Sequence, residues 1–374
     1  MKAHLFDLLR QKSALVYIII VLFCISSLIF VNHNYSFYNQ PIAKVIETNL
    51  LDTTEVVDMF ENEDRLFTQH IVAKVMNGDE KGQLIHLTNE YSLSGAYDHE
   101  FKVGHELFVW IEEGDTNLTG AIQDVKRDKY VVFVAWIFIF TLLIVGKKQG
   151  LFSIISLLVN AVLLSFALDV YLKTSNISLV FICGIAVILF TAISLLLVNG
   201  FHEKTYAAVI ATIVGTFTLL FITYLVMWLT SDSGLRYEEM QFLTRPHQMV
   251  FMAGVLVGTL GAVMDVAITM SSSIFGLYEK NHNISVKALK QSGMEIGKDI
   301  MGTMTNILFF VYISGSIPML ILYFNNASPL GFTLSMNLSL EMARALAGGI
   351  GIVLTIPIGL YISIYFVKQK RARI

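Results

Sequence analysis

One carboxylate, Asp265, stands in the stretch GVLVGTLGAVMDVAITMSSS from Gly254 to Ser273, which is otherwise apolar, rich in small residues and long enough to cross a bilayer. A charge near mid-membrane is costly unless it is paired or wetted, so an intramembrane aspartate is a functional-site hypothesis by default. Asp265 either titrates or coordinates a cation that offsets its burial. The plainer alternative is that it caps a broken helix or pairs with an arginine to lock the bundle. Gly254, Gly258 and Gly261 precede it at spacings of four and three, a pattern that lets helix backbones approach closely. Gly254 and Gly258 are read as helix-packing positions. Gly261 and Ala262 lie within one turn of Asp265, where local unwinding would offer backbone carbonyls to an ion, as discontinuous transporter helices do. Ser271, Ser272 and Ser273 continue toward the cytoplasm and either line a wet path or bond back to their own helix.

A second polar cluster follows in GKDIMGTMTN, where Asp299, Thr303 and Asn306 fall at spacings of four and three on one face of a helix entering the membrane. With Asp265 as the binding group, these three line its cytoplasmic approach, and Gly302 is a packing position. Two alternatives stay open: a helix N-terminus favours an acid such as Asp299 without any function, and Asn306 suits a hydrogen bond between helices. Glu341 and Arg344 share a face at the start of the last apolar run. They either pair with each other, or Arg344 reaches toward Asp265 or an anionic substrate. Asp169, beside Tyr171 and Lys173, reads as an interface residue, and neither it nor Asn160 enters the site.

The elements that must hold these groups are membrane spans. The 374 residues are 55% hydrophobic and 15% charged, with a mean hydropathy of +0.65, and the apolar runs are too long for buried helices of a soluble domain. Runs near 14–31, 130–146, 151–172, 177–199, 205–230, 247–274, 300–324 and 340–366 predict about eight transmembrane helices. The expected architecture is an α-helical polytopic membrane protein in three parts. Residues 1–31 are a cytoplasmic N-terminus and signal-anchor helix, 32–129 an extracytoplasmic β-rich domain, and 130–374 a seven-helix membrane domain with a basic cytoplasmic tail. Lys and Arg are retained on the cytoplasmic side of short connectors. With the N-terminus inside, 14 of them flank the inner ends of the spans, against Lys173, Arg236 and Arg245 on the outer connectors. Both termini are then cytoplasmic.

Residues 32–129 are acidic, with 18 Asp/Glu against 8 Lys/Arg. Short alternating runs at 71–75, 83–87 and 107–111, punctuated by Asn77-Gly78, Gly82 and Gly114, predict strands and turns, with a helical stretch over 53–66. His33, His70, His86, His99 and His105 lack metal-ligand spacing along the chain, so no metal or cofactor is expected. The connector 231–246 interleaves Leu235, Met240, Phe242 and Leu243 with charges, as a short amphipathic helix on the interface would, either a skirt or a gate over the outer mouth. Cys24 and Cys183 lie in spans and define no disulfide framework. Phe23 before Cys24 argues against lipidation, and the first run has no small-residue cleavage site.

Tyr206 four places after His202-Glu203 excludes the H-E-x-x-H zinc signature, and Walker, dinucleotide and G-x-S-x-G motifs are missing. An intramembrane aspartyl hydrolase needs two carboxylates sharing a site, whereas a whole loop separates Asp265 from Asp299. The chain is not read as an enzyme, and no nucleic-acid partner is expected.

The segments GTLGAVMDVAITMSSSIFGLYEKN and SGMEIGKDIMGTMTNILFFVYISGSIP, with the loop GKKQG and the turn NGFHEKTYAA, resemble the bacterial YibE/F family of membrane proteins over Asp128 to the end. The outer region resembles that family's N-terminal half through Val103-Gly104-His105-Glu106, where His105 replaces an expected acid. The resemblance implies a permease component of the bacterial cell membrane and carries over Asp265, Asp299, Asn306, Gly261 and Gly302. It also implies either a homo-oligomer or a hetero-oligomer with a shorter family member. The expected function is proton- or cation-coupled transport of a small ion, solute or peptide through Asp265. The alternative is a non-transporting assembly or signalling protein whose outer domain binds an envelope partner or peptide.

Overall fold

A computed structural model describes residues 2–59, 61–95, 98–112, 118–174, 177–240 and 246–373, with backbone alone for 2–17 and 239. The chain divides into two compact units, Met1–Thr141 and Leu142–Ile374.

In the first unit, helix α1 (Lys2–His33) ends in a 3-10 turn, Asn34–Phe37, and five strands follow: β1 (Ile42–Val57), β2 (Glu63–Val75), β3 (Leu84–Ser92), β4 (Glu106–Glu112) and β5 (Leu118–Val125). They close into a barrel in the order β1-β2-β3-β5-β4, antiparallel except for β3 against β5. That is a strand order of OB-type Greek-key barrels. Period-two alternation sends Val45, Ile71, Ala73, Ile85, Leu87, Leu107 and Val109 into its core. The helix expected over 53–66 is not formed. Thr53 pairs with Phe67 and Val57 with Glu63, so the segment is the tip of the β1–β2 hairpin. Its run of Thr53, Thr54, Val56 and Val57 is β-branched, and a long partner strand decides in favour of extension.

Helix α2 (Asp128–Lys173) opens beside the barrel, where Trp136 Nε1 donates to Ser27 Oγ of α1 at 2.7 Å. The two runs expected at 130–146 and 151–172 are its two arms. Lys147, with φ 48° and ψ −120°, breaks the helix between them. The turn is sharp: Gly150 packs on the Leu142 carbonyl, a pair that an unbroken helix would hold about 12 Å apart.

The second unit continues with α3 (Leu179–Asn199), α4 (Glu203–Thr230), α5 (His247–Gly258), α6 (Leu260–Lys280), α7 (Val286–Ser314), α8 (Ile317–Asn325), a short turn α9 (Leu330–Phe332) leading into a π turn, and α10 (Ser339–Ala372). Among the described residues, six helices or collinear helix pairs are long and apolar enough to span a membrane, or seven with α7 and α8, which bend by 64° across Gly315 and Ser316. The span expected over 300–324 falls on this bent helix pair. Pro318 at the start of α8 lacks the amide that would continue α7.

At the centre α10 packs on α4, α6 and α7, burying Met270, Ile274, Ile352, Ile356 and Leu360. Glycines admit these contacts: Gly215 on α4 meets Thr355, Gly297 on α7 meets Ile356, and Gly348 on α10 meets Leu308. Buried apolar area contributes roughly 25 cal/mol per Å², but in lipid the tight helix contacts themselves supply much of the cohesion.

The connector between α4 and α5 contains a 3-10 turn, Tyr237–Glu239, in place of the expected amphipathic helix. Leu235, Tyr237 and Met240 pack against the cluster around Phe251. Phe242, Leu243 and Arg245 lie outside the described residues.

Candidate functional site

Helix α6 is amphipathic in an inverted sense. One face, with Val263, Val266, Ala267, Met270 and Ile274, is buried in the protein core. The opposite face carries Gly261, Asp265 and Ser272, all exposed. Continued upward through Thr259, that face includes Gly254 and Gly258 on α5, since residues four and seven apart share a helix side. Asp265 forms no hydrogen bond or ion pair among the described residues. It lies 15 residues from Lys280 and 18 from His247, or about 22 and 27 Å along the axis, close to mid-span.

The interruption in this span falls at Thr259, not at Gly261. Thr259 turns its hydroxyl onto the Val255 carbonyl at 2.8 Å, and Gly261 is helical. The carbonyls expected to open beside Asp265 stay within the helix.

On α7 the exposed face holds Asp299, Gly302, Thr303 and Asn306. The helix starts at Val286, where Ser285 Oγ caps the Ala288 amide at 3.1 Å, so Asp299 lies well inside it. Dipole stabilisation at an N-terminus therefore does not account for this acid, because the effect fades within one turn. Asn306 bonds to no neighbouring helix among the described residues. That role falls to Asn160, whose amide donates to Ser194 Oγ of α3 at 2.7 Å, with Ser156 on the same hydroxyl at 3.0 Å.

Two contacts fix how the collinear pair α5–α6 lies against α7. Gly258, just before Thr259, abuts the Tyr312 hydroxyl, and toward the Lys280 end of α6 Ile274 meets Gly293. In the antiparallel register that joins them, Asp265 is level with the stretch from Gly302 to Asn306, and Asp299 is about one turn nearer the Lys280 end of α6. Gly261 and Gly302 meet nothing within 4 Å at the Cβ position. Of the three glycines read as packing positions, Gly258 thus touches Tyr312, Gly254 faces Arg344 Nε at 3.9 Å, and Gly302 stands open.

Arg344 donates to Glu341 on its own helix and stacks over the Phe251 ring at 5.6 Å. It is held near Gly254 by that pair, 11 residues above Asp265, and does not reach it. Arg344 Nε and the Tyr312 hydroxyl are buried without a hydrogen-bond partner among the described residues. Both border the glycine side of α5, which gives the α5 end of the same stripe two donors unsatisfied among the described residues. Of the serines, Ser271 is buried and donates to the Lys204 carbonyl at 2.6 Å, whereas Ser272 is exposed on the Asp265 face. Asp169 pairs with Lys173 at 2.7 Å.

The family model described as YibE/F-like protein matches residues 134–369, and that described as YibE/F family N-terminal domain matches 36–125. The chain belongs to the YibE/F family. No curated protein and no solved structure matches it. Both halves of this YibE/F chain are therefore family features, the barrel as well as the helices.

Sequence reasoning missed a buried lock in the barrel unit. Lys126, 1% exposed, donates to the Val31 carbonyl at 2.9 Å and Asp128 at 2.8 Å and lies 3.4 Å from Glu106. Tyr35 donates to Glu106, and Asn34 and Tyr38 donate to Asp128. Burial, and after it the bond to Asp128, pushes the Tyr38 hydroxyl pKa up. These groups come together only when α1, β4 and the start of α2 meet, so no local spacing announces them. The packing glycines Gly293 and Gly297 did carry a signal, small residues four apart on one helix.

Proposed function

We propose that this YibE/F chain is a transporter or permease component of the bacterial cell membrane in which Asp265 binds a proton or cation. The observation that carries the reading is a carboxylate near mid-span, exposed and without a partner among the described residues, level with Gly302, Thr303 and Asn306 on the adjacent helix. Leaving such a charge against lipid costs on the order of 2.5–3.5 kcal/mol by insertion scales, so the face is wet or covered. Arg344 and Tyr312 mark the outer end of the path, and Asp299 with Ser272 its cytoplasmic approach.

An open polar face of this kind is completed by a second chain, either another copy or a shorter family member. Counting the arms of α2 separately and α7–α8 as one bent span gives eight spans. That even number, with the Lys and Arg distribution, supports both termini in the cytoplasm and residues 32–129 outside. No bond-making step is assigned to the chain.

The site is tested by treating the protein in proteoliposomes with an apolar carbodiimide, which adds to protonated carboxyls in apolar surroundings, and mapping adducts by mass spectrometry. Asp265 is expected to be modified, and a transported cation to protect it. An unmodified Asp265 in folded protein, or modification that no ion in a broad panel alters, argues against an ion site there.

A further inference from the structure

The strands of the outer barrel create a juxtaposition that chain spacing conceals. His70 on β2 and His86 on β3 are 16 residues apart, yet pairing of His70 with Thr88 and of Val72 with His86 makes them diagonal neighbours on the outward face. Their rings stack with centroids 5.2 Å apart, and His86 Nδ1 lies 3.2 Å from His70 Nε2. Both imidazoles are half-buried and line an open cavity of about 500 Å³. Glu90 and Glu112 border the same cavity, exposed and in no ion pair among the described residues.

We propose that His70 and His86 are two ligands of a divalent late-transition-metal ion, of the Zn²⁺ or Cu²⁺ class, on the outer barrel. Two metal–nitrogen bonds of about 2.0–2.1 Å span about 2.9 Å at a right angle and about 3.4 Å at the tetrahedral angle. The observed separation of 3.2 Å falls between these limits, so the two ring nitrogens already stand at the spacing of a chelating pair. Imidazole is a ligand type these ions favour, and Cu²⁺ is the tightest of the series. The ring that donates in the free pair keeps its proton by shifting it to its other nitrogen, so both ligands bind neutral. Glu90 and Glu112 supply the negative charge that draws a cation in, and water fills the remaining positions. Lack of sequential H-x₃₋₅-H spacing is no obstacle, because a cross-strand pair is set by register.

The test uses full-length protein in detergent, purified with a tag free of histidine, with Zn²⁺ titrated calorimetrically and Cu²⁺ read by electron paramagnetic resonance. One Zn²⁺ per chain and nitrogen hyperfine coupling from two imidazoles are expected. His70→Gln and His86→Gln are each expected to weaken binding by at least about tenfold and remove one nitrogen coupling. His99→Gln should change neither. Should a variant misfold by circular dichroism, the two-nitrogen signature of the wild-type protein still decides. Wild-type protein that binds no stoichiometric Zn²⁺, or Cu²⁺ coordination that persists unchanged in both folded His variants, would overturn the assignment.

Discussion

Replacing Lys126 by methionine tests how the β-barrel is fastened to its flanking helices. The ammonium is 1% exposed and serves Glu106, 4% exposed, Asp128, 22% exposed, and the Val31 carbonyl. Methionine keeps the stem and removes the charge, leaving two acids without their shared counter-ion. Breaking a buried ion pair from one side costs about 3–5 kcal/mol. Here the lower end applies, because Asp128 is partly wet and keeps Asn34 and Tyr38, and Glu106 keeps Tyr35 with Lys129 at 3.9 Å. About 3 kcal/mol corresponds to roughly 150-fold faster exchange of amides that open with the barrel. Suitable reporters are the Val45 amide, bonded to the His105 carbonyl, and the amide of Lys126 or of its replacement, bonded to the Glu106 carbonyl, each at 2.8 Å. Hydrogen exchange on the full chain in detergent, read by mass spectrometry, supplies the rates. The double variant Lys126→Met/Glu106→Leu should recover much of the loss, since an apolar pair of similar volume is often neutral. A change of less than about fivefold on Lys126→Met would mean that the cluster is solvated and locks nothing.

Gly297→Leu drives a side chain into Ile356 on α10 and should lower thermal stability by at least the 1–3 kcal/mol typical of overpacking, measured by scanning fluorimetry, whereas Gly302→Ala meets open space and should shift it little. Asp64 accepts from the Ser94 hydroxyl at 2.7 Å, and that bond, with amide donors, holds its pKa below the usual carboxylate value. A depressed folded-state pKa gives stability that is present above the unfolded value, near 4, and lost as pH falls through the folded one. The protection factor of the Leu93 amide, bonded to the Arg65 carbonyl at 2.8 Å, should therefore decline below about pH 4 and lose that pH dependence in Asp64→Asn.

Long apolar runs announced most helices because one property, length without charge, suffices to mark a span. The breaks were harder to read. Thr259 keeps helical hydrogen bonds and leaves no composition signal, and Lys147 turns the chain through a backbone angle that no side chain encodes. The start of α7 at Val286 was hidden by a polar first stretch carrying Lys287, Lys290, Glu295 and Lys298, which resembled a loop and misplaced Asp299 at a helix end. The strands over 71–75 and 107–111 were legible from alternation, whereas 53–66 carries mixed polarity on an exposed hairpin arm and needed its partner strand to declare itself. Asp265 stood out by type alone. Its level with Gly302 to Asn306 depends on Gly258 against Tyr312 and Ile274 against Gly293, contacts between residues 54 and 19 positions apart in the chain.

Charge movement in proteoliposomes on a supported membrane, recorded for wild type and Asp265→Asn while pH, cations, amino acids and short peptides are stepped, tests the carrier reading most directly. A current in wild type that disappears in an equally well-folded Asp265→Asn protein is the predicted result. An undiminished current in that variant would contradict it, and so would a silent wild type in the presence of a co-purified partner chain.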